Sequence, residues 1–378
     1  MVDFIIIGGG VAGLSAGAHL ASHGRVTLIE AEAQLGHHAS SRSAAVHIPT
    51  YGAGPVKDIS IASTEAHLAA GVLTPRPVML VGTAEEAEGF ARDAKDLRMT
   101  PISPDAARDM VPLLSADISH AALTRETWDI DTDAVLQAYA RAIRADGQIV
   151  TGARVEAIAR TATGWRVTAG GADHDAPVLV NAAGPWADEI ATLAGIAPVG
   201  LVALRRSMAR IGVPGGHEAR DWPMLIGASG DWYAKPDAGA LIVSPSEEHP
   251  LPPQDAWADD MVLAEGLAAF EAHMNAPVER MIANWAGLGC WGRCRSSIRP
   301  PPTPYSPRGF ADAARPRLTP VKESKRIEGI STSGGNQNQG GHAGETSWTT
   351  VPSRASWTPP PSPFSARRTT TPLSARWC

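Results

Sequence analysis

The chain opens on a short apolar run, Phe4-Ile5-Ile6-Ile7, closed by three glycines. A β-branched run of this kind predicts a strand buried on both faces, as in a parallel sheet. Apolar positions then recur at helical spacing from Val11 to His23, with Leu14, Ala18 and Ala21 on one face and Gly24 as the stop. Arg25 to Ile29 is a second apolar run and completes a strand–helix–strand unit of about thirty residues. From Gly36 to Ser43 the pattern is polar and loop-like. Asp133 to Ala145 predicts a helix on Val135, Leu136, Tyr139 and Ile143, and Arg154 to Ile158 and Trp165 to Thr168 predict strands joined at Thr163-Gly164. Val178-Leu179-Val180 reads as a third buried strand ending at Asn181-Ala182-Ala183-Gly184, followed by a helix from Pro185 to Ala194. Between Leu201 and Ser244, short strand-like segments alternate with turn signals at Gly215-Gly216 and Asp237-Ala238-Gly239, which suits an antiparallel sheet. Beyond Leu288 no alternation of strand and helix is visible, and there are no internal repeats.

Composition narrows the class. With 378 residues, 44% of them apolar and 19% charged, the chain has the make-up of a globular protein with a sizeable core. No apolar run approaches the eighteen or so residues of a membrane span. Met1 to Gly10 lacks a basic leader segment and a cleavage site, so no secretory signal is expected and the cytoplasm is the default. A net charge of −6 gives no reason to expect a nucleic acid partner. The charge is unevenly spread: residues 289–378 hold 13 Arg and Lys against 4 Asp and Glu, leaving 20 against 35 for 1–288. All three cysteines (Cys290, Cys294, Cys378) and two triple-proline runs also lie in that last part. No second cysteine pair accompanies Cys290 and Cys294, so no metal site is expected.

Gly8-Gly9-Gly10-Val11-Ala12-Gly13 fits G-x-G-x-x-G, follows an apolar strand, opens a helix, and is answered 22 residues after Gly8 by Glu30 at the end of the next strand. Each position has a physical task. Gly8 permits the turn, Gly10 lets a pyrophosphate approach the backbone, and Gly13 allows close helix–strand packing. The helix N-terminus offers N–H donors to phosphate, and Glu30 can accept from ribose hydroxyls while repelling a 2′-phosphate. A ligand-free glycine turn is the bland alternative. The pattern predicts an α/β fold with a Rossmann-like dinucleotide lobe into which a mostly antiparallel sheet lobe is inserted.

Glu30 to Ala45 (EAEAQLGHHASSRSAA) resembles the FAD-dependent D-amino acid oxidase superfamily, in particular its bacterial D-arginine dehydrogenase-like and glycine oxidase-like members. The resemblance continues through Asp129 to Asp133, Val178 to Ala187, Leu204 to Ser207, Asp221 to Met224, Trp232 to Gly239 and Trp285 to Leu288, and so covers about 1–288. It implies FAD, held noncovalently, by Gly8, Gly10, Val11, Ala12, Gly13, Glu30 and Ala31. It further implies cofactor contacts from His38, Ser40, Ser41, Arg42, Ser43, Val155, Ala182, Ala183, Gly184 and Trp186. The lobes expected from it are 1–45 with 130–200 for FAD and 46–129 with 201–288 for substrate, leaving 289–378 as an aberrant tail.

The family passes the substrate α-hydride to the flavin, and the resulting imine is hydrolysed to a keto acid and ammonia. The implied partners are therefore an amino acid or amine and, as electron acceptor, oxygen or a quinone. Arg206 is the expected carboxylate anchor, because guanidinium matches carboxylate bidentately, with Tyr233 and Tyr51 as hydrogen-bonding neighbours. Each of the three has a purely structural alternative. His47 is a candidate near the flavin, set against a structural role. Two departures stand out: Val46 replaces a histidine, and Val78 falls where arginine-preferring relatives place a glutamate. The second predicts a shift from Arg and Lys towards neutral substrates. A 2-hydroxy acid oxidoreductase on the same fold and a catalytically defective flavoprotein remain open alternatives. After Leu288 the family's arginine is replaced by Gly289, and no glycine-rich strand–turn–helix is found around Gly334-Gly335 or Gly340-Gly341. A reading-frame change in a GC-rich gene is the expected source of the switch in composition, with a real disordered tail or a divergent domain as the alternatives.

Overall fold

The computed structural model describes residues 2–291 apart from 53 and 229. The described residues belong to one compact unit.

Apolar patterning explains the cofactor-side lobe directly. Phe4–Ile7 runs parallel to Val26–Ile29 and to Val178–Asn181, and Gln148–Val150 closes the other edge of this four-stranded sheet. Ile6, Leu14, Val26, Leu28, Leu136, Ala140 and Ile143 form one core beneath the helices Val11–Leu20 and Thr132–Arg144. Ile5, Ile7 and Ile29 point to the other face, against Val167, Ala169 and Ile190. Fully burying one such aliphatic side chain stabilises by about 1.5–3 kcal/mol, so the two cores hold the sheet between layers. Asp131 caps the second helix by accepting from Ala134 N at 2.8 Å, and Arg141 and Arg144 lie in its last turn, where the dipole favours cations. The first helix stops at Leu20 rather than His23, because His23 N turns back to Leu20 O at 2.8 Å.

The strand Val178–Asn181 lies at the edge of its sheet, and Val178 is 43% exposed, which corrects the expectation of a buried strand. Ala172–Ala176 adds an unforeseen third strand to the antiparallel hairpin Val155–Thr161 and Gly164–Ala169.

The second sheet has nine strands and is antiparallel except where Met224–Gly227 pairs in parallel with Val78–Gly82. Its core is built on Trp232, Phe270, Leu113, Leu114 and Ile118, none more than 2% exposed. The strand Met281–Trp291 pairs along nearly its whole length with Val202–Ile211. Gly289, Cys290 and Trp291 continue that ladder opposite Leu204, Ala203 and Val202, so the fold crosses the point at which composition changes. The remaining tail expectations, including Cys294 and the glycine pairs near 334 and 340, lie outside the described residues. No helix among the described residues is long and apolar enough to cross a membrane.

Candidate active site

The glycine turn is held by close approaches that a side chain would block. Gly8 has φ +110°, and a Cβ there would run into the Ala182 carbonyl oxygen; a Cβ at Gly13 would run into the Gly8 carbonyl oxygen. The first turn of the helix carries no acidic side chain, and Val11 N donates to Ser40 Oγ at 3.0 Å. The Glu30 carboxylate accepts from Gly9 N at 2.5 Å and from Glu32 N at 2.8 Å, which orients it at the end of its strand.

These groups border a groove of about 330 Å³. Gly8, Gly10, Val11 and Ala12 form one wall, and Glu30, Ala31, His38 and Ser40 another. Val155 and the turn Ala182, Ala183, Gly184 and Trp186 close it. The His38 ring lies tilted against Trp186, 4.6 Å between ring centroids, and bonds Glu32 Oε1 through Nε2 at 3.1 Å. Burial holds its pKa below the usual histidine value despite the pull of Glu32, so the ring is neutral at pH 7. Leu288 and Cys290, two positions apart on the strand Met281–Trp291, also line the groove. Sequence reading missed both, and the period-2 spacing was the available signal.

Four residues assigned to the cofactor stand elsewhere. Gly13 is buried beneath the turn as a packing glycine. Ser41 Oγ donates to Gly36 O at 2.5 Å and stabilises its own loop. Arg42 is committed to protein acceptors: its Nε donates to His37 O at 3.1 Å, and its Nη1 reaches Ala286 O at 3.1 Å and Asp255 Oδ1 at 2.6 Å. Ser43 lines a different cavity.

That second cavity, about 920 Å³, brings together Tyr51, Arg206, Tyr233 and His47. Arg206 projects from the strand Val202–Ile211; its Nε donates to Glu247 O at 3.0 Å and its Nη2 to Glu248 Oε1 at 3.2 Å. Burial pushes the Tyr233 hydroxyl above its usual pKa, against the opposing effects of Ser244 and Arg206, so it stays protonated and able to donate. His47 Nε2 bonds Thr64 Oγ1 at 2.9 Å, and burial followed by the nearby His67 keeps its pKa low. Val78 is fully buried in mid-sheet and is not part of the cavity wall. The missing glutamate at that position therefore gives the neutral-substrate expectation no geometric footing. The wall does carry Asp58, Asp93, Asp96 and Glu248.

Between groove and cavity runs one continuous stretch: Ser40 lines the first, and Ser43, Ala44 and Ala45 line the second. Lys235, 8% exposed, fixes this stretch from below by donating to Ala44 O at 2.8 Å and pairing with Asp129 Oδ1 at 3.0 Å. Arg76 holds the other oxygen of Asp129 at 2.9 Å.

A βαβ glycine turn, a strand-end carboxylate and an adjoining cavity with an arginine on its wall fit a dinucleotide-dependent oxidoreductase; such a groove can offer N–H donors and a bare backbone to phosphates and an acceptor to ribose. The chain belongs to the FAD dependent oxidoreductase (DAO) family, which it matches over residues 3–318, thirty residues beyond Leu288. Its cofactor is accordingly FAD. The fold is similar to glycine oxidase from Geobacillus kaustophilus, with TM-score 0.64, 20% identity, and coverage of 77% of this chain and 83% of that one. It is also similar to FAD-bound L-α-glycerophosphate oxidase from Mycoplasma pneumoniae (TM-score 0.67, 19% identity, 78% and 84% covered). Iminodiacetate oxidase from Chelativorans sp. BNC1 has the same fold (TM-score 0.62, 18% identity, 77% and 84% covered).

Proposed function

We propose that the protein oxidises the C–N bond of a carboxylate-bearing amino acid or amine. The observation that carries this reading is the single stretch Ser40–Ala45, which borders the groove at one end and the Arg206 and Tyr233 cavity at the other. In the groove, the helix N-terminus would hold the pyrophosphate, Glu30 would accept from the ribose, and the Val155 backbone would border the adenine. FAD, when bound, accepts the hydride released from the substrate α-carbon. In the cavity, Arg206 grips the substrate carboxylate, Tyr233 donates to the same group, Tyr51 borders the amine, and His47 shapes the wall. As the hydride leaves, the amine nitrogen loses a proton and a C=N bond forms; water then hydrolyses it to a keto acid and ammonia. Oxygen or a quinone completes the cycle by taking up the two electrons.

The test is a turnover panel of D- and L-amino acids, their decarboxylated amines and 2-hydroxy acids on FAD-loaded protein, with ammonia assayed. Amino acids should turn over with stoichiometric ammonia, and Arg206→Gln should raise KM roughly 10–150-fold, the equivalent of one charge-assisted hydrogen bond. Turnover of 2-hydroxy acids alone would replace this reading with C–O oxidation on the same anchor. For the C-terminal part, the switch in composition after Leu288 supports an out-of-frame origin, while the pairing to Trp291 and the family match to residue 318 argue for a start later than 289. Sequencing the 3′ portion of the gene tests this, and an unbroken frame encoding the present residues overturns it.

A further inference from the structure

One of the two edges through which the Arg206 guanidinium can meet a carboxylate bidentately, Nε with Nη2, is already engaged. Nε is taken by the Glu247 carbonyl and Nη2 by the Glu248 carboxylate. The two glutamates are directed to different partners. Glu247 is buried, accepts from Ser207 N at 2.7 Å and lies 3.6 Å from Arg205 Nε. Glu248 has a 52%-exposed side chain on the cavity wall and reaches Arg206. The segment that presents it leaves the strand Ala240–Ser244 through Ser246 at φ +57°, and is fixed again where His249–Pro250 pairs with Val202–Ile211. Glu248 thus stands beside the anchor on a short, tethered arm.

We propose that Glu248 is a specificity-determining residue of this cavity: its carboxylate holds Arg206 where a substrate carboxylate would bind, competes with it, and disfavours a second negative charge at the same end of the substrate. The proposal rests on the reading of Arg206 as carboxylate anchor. An incoming monocarboxylate displaces one half-exposed ion pair. A dicarboxylate meets in addition the repulsion of the displaced Glu248, so the cavity selects against acidic substrates.

Binding to FAD-loaded protein, followed by perturbation of the flavin absorbance, tests this with propionate, its neutral isostere propionamide, and succinate. Glu248→Gln should tighten propionate about threefold, the size of a partly exposed ion pair. Succinate should tighten more and propionamide not at all, while Glu248→Asp, which keeps the charge, stays near wild type. Arg206→Gln should weaken propionate about tenfold or more. Should Glu248→Gln leave propionate unchanged or weaker while Arg206→Gln weakens it, the role of Glu248 is overturned and the anchor stands. An equal shift for propionate and propionamide also overturns it, as a general effect on cavity shape. Unchanged propionate binding in Arg206→Gln removes the anchor and the proposal together.

Discussion

Replacing Gly8 by alanine tests the cofactor groove at the point where backbone geometry matters most. At φ +110° an L-residue is strained by roughly 1–2 kcal/mol. The added Cβ also meets the Ala182 carbonyl carbon at 2.7 Å and Ala183 Cα at 3.0 Å, after colliding with the Ala182 oxygen. These are backbone atoms of the turn after Val178–Asn181, so relief requires the turn to move away from the first strand. Overpacking of this kind costs about 1–3 kcal/mol, for a sum of about 2–5 kcal/mol. Ala182, Ala183 and Gly184 are groove wall, so part of that displacement falls on the bound state; every 1.4 kcal/mol borne there raises Kd about tenfold. FAD titration of the apoprotein should give a Kd at least about tenfold weaker, and the ligand-free unfolding midpoint should drop by roughly 5–10 °C. Gly171→Ala is the matched control, because its φ of +77° carries the strain while no atom lies within 4 Å of the new Cβ. It should lose about 1–2 kcal/mol and keep wild-type FAD affinity. The reasoning fails if Gly8→Ala binds FAD as tightly as wild type and melts like the control.

Three further outcomes follow from the same contacts. Glu30→Ala strips two backbone N–H groups of their acceptor and should cost about 1–3 kcal/mol in urea unfolding as well as weakening FAD, whereas Glu30→Gln should recover part of both. Arg42→Ala should destabilise the FAD-free protein by about 1–3 kcal/mol, since the half-exposed Asp255 and the Ala286 carbonyl lose their partner; an arginine that served only the cofactor would leave apoprotein stability unchanged. The third concerns pH. Burial alone would raise the Glu86 pKa, but bonds from Thr83 N and His273 hold it below the ordinary 4.5. The stability this contributes is present above pH 4.5 and is lost as pH falls through the lower folded value. Urea midpoints should therefore decline on acidification below 4.5, and Glu86→Gln should flatten that decline.

What could be read from the sequence was whatever is local along the chain. The glycine turn, its helix and Glu30 lie within 30 consecutive residues, and their spacing alone locates one wall of the groove. The contacts of Arg42 were not legible because its partners lie 214 and 244 residues away, at Ala256 and Ala286, and no local pattern reports them. Val78 was misjudged for the opposite reason. The run Val78-Met79-Leu80-Val81 is uninterrupted by polar residues, which by itself signals a strand buried on both faces, and all four side chains are at 0% exposure. The likeness to relatives overrode a correct physical signal. The helix Pro55–Ala69 went unpredicted because it buries no residue: its inward positions Lys57, Ser60, Ser63, Thr64 and His67 are polar, and Ile59 at 66% and Val56 at 59% face out. A pattern reader seeking an apolar inner face finds none.

The placement of Arg42 also bears on how groove and cavity stay in register. Hydride transfer tolerates little misplacement of the reacting atoms, and an error of about 1 Å can cost roughly a hundredfold in rate. The groove takes most of its lining from the first lobe but Leu288 and Cys290 from the second sheet, the sheet that also carries Arg206 and Tyr233. The stretch Ser40–Ala45 adds a further tie, because Ser40 Oγ accepts from Val11 N in the first lobe while Arg42 and Ala44 are bonded to the second sheet. Arg42 donates to Ala286 O, Trp285 Nε1 donates back to Arg42 O at 3.1 Å, and Lys235 donates to Ala44 O. An arginine extended towards a phosphate could not make these bonds. Loss of the guanidinium should therefore appear in the stability of the empty protein, and any loss of FAD affinity should follow from the loosened loop.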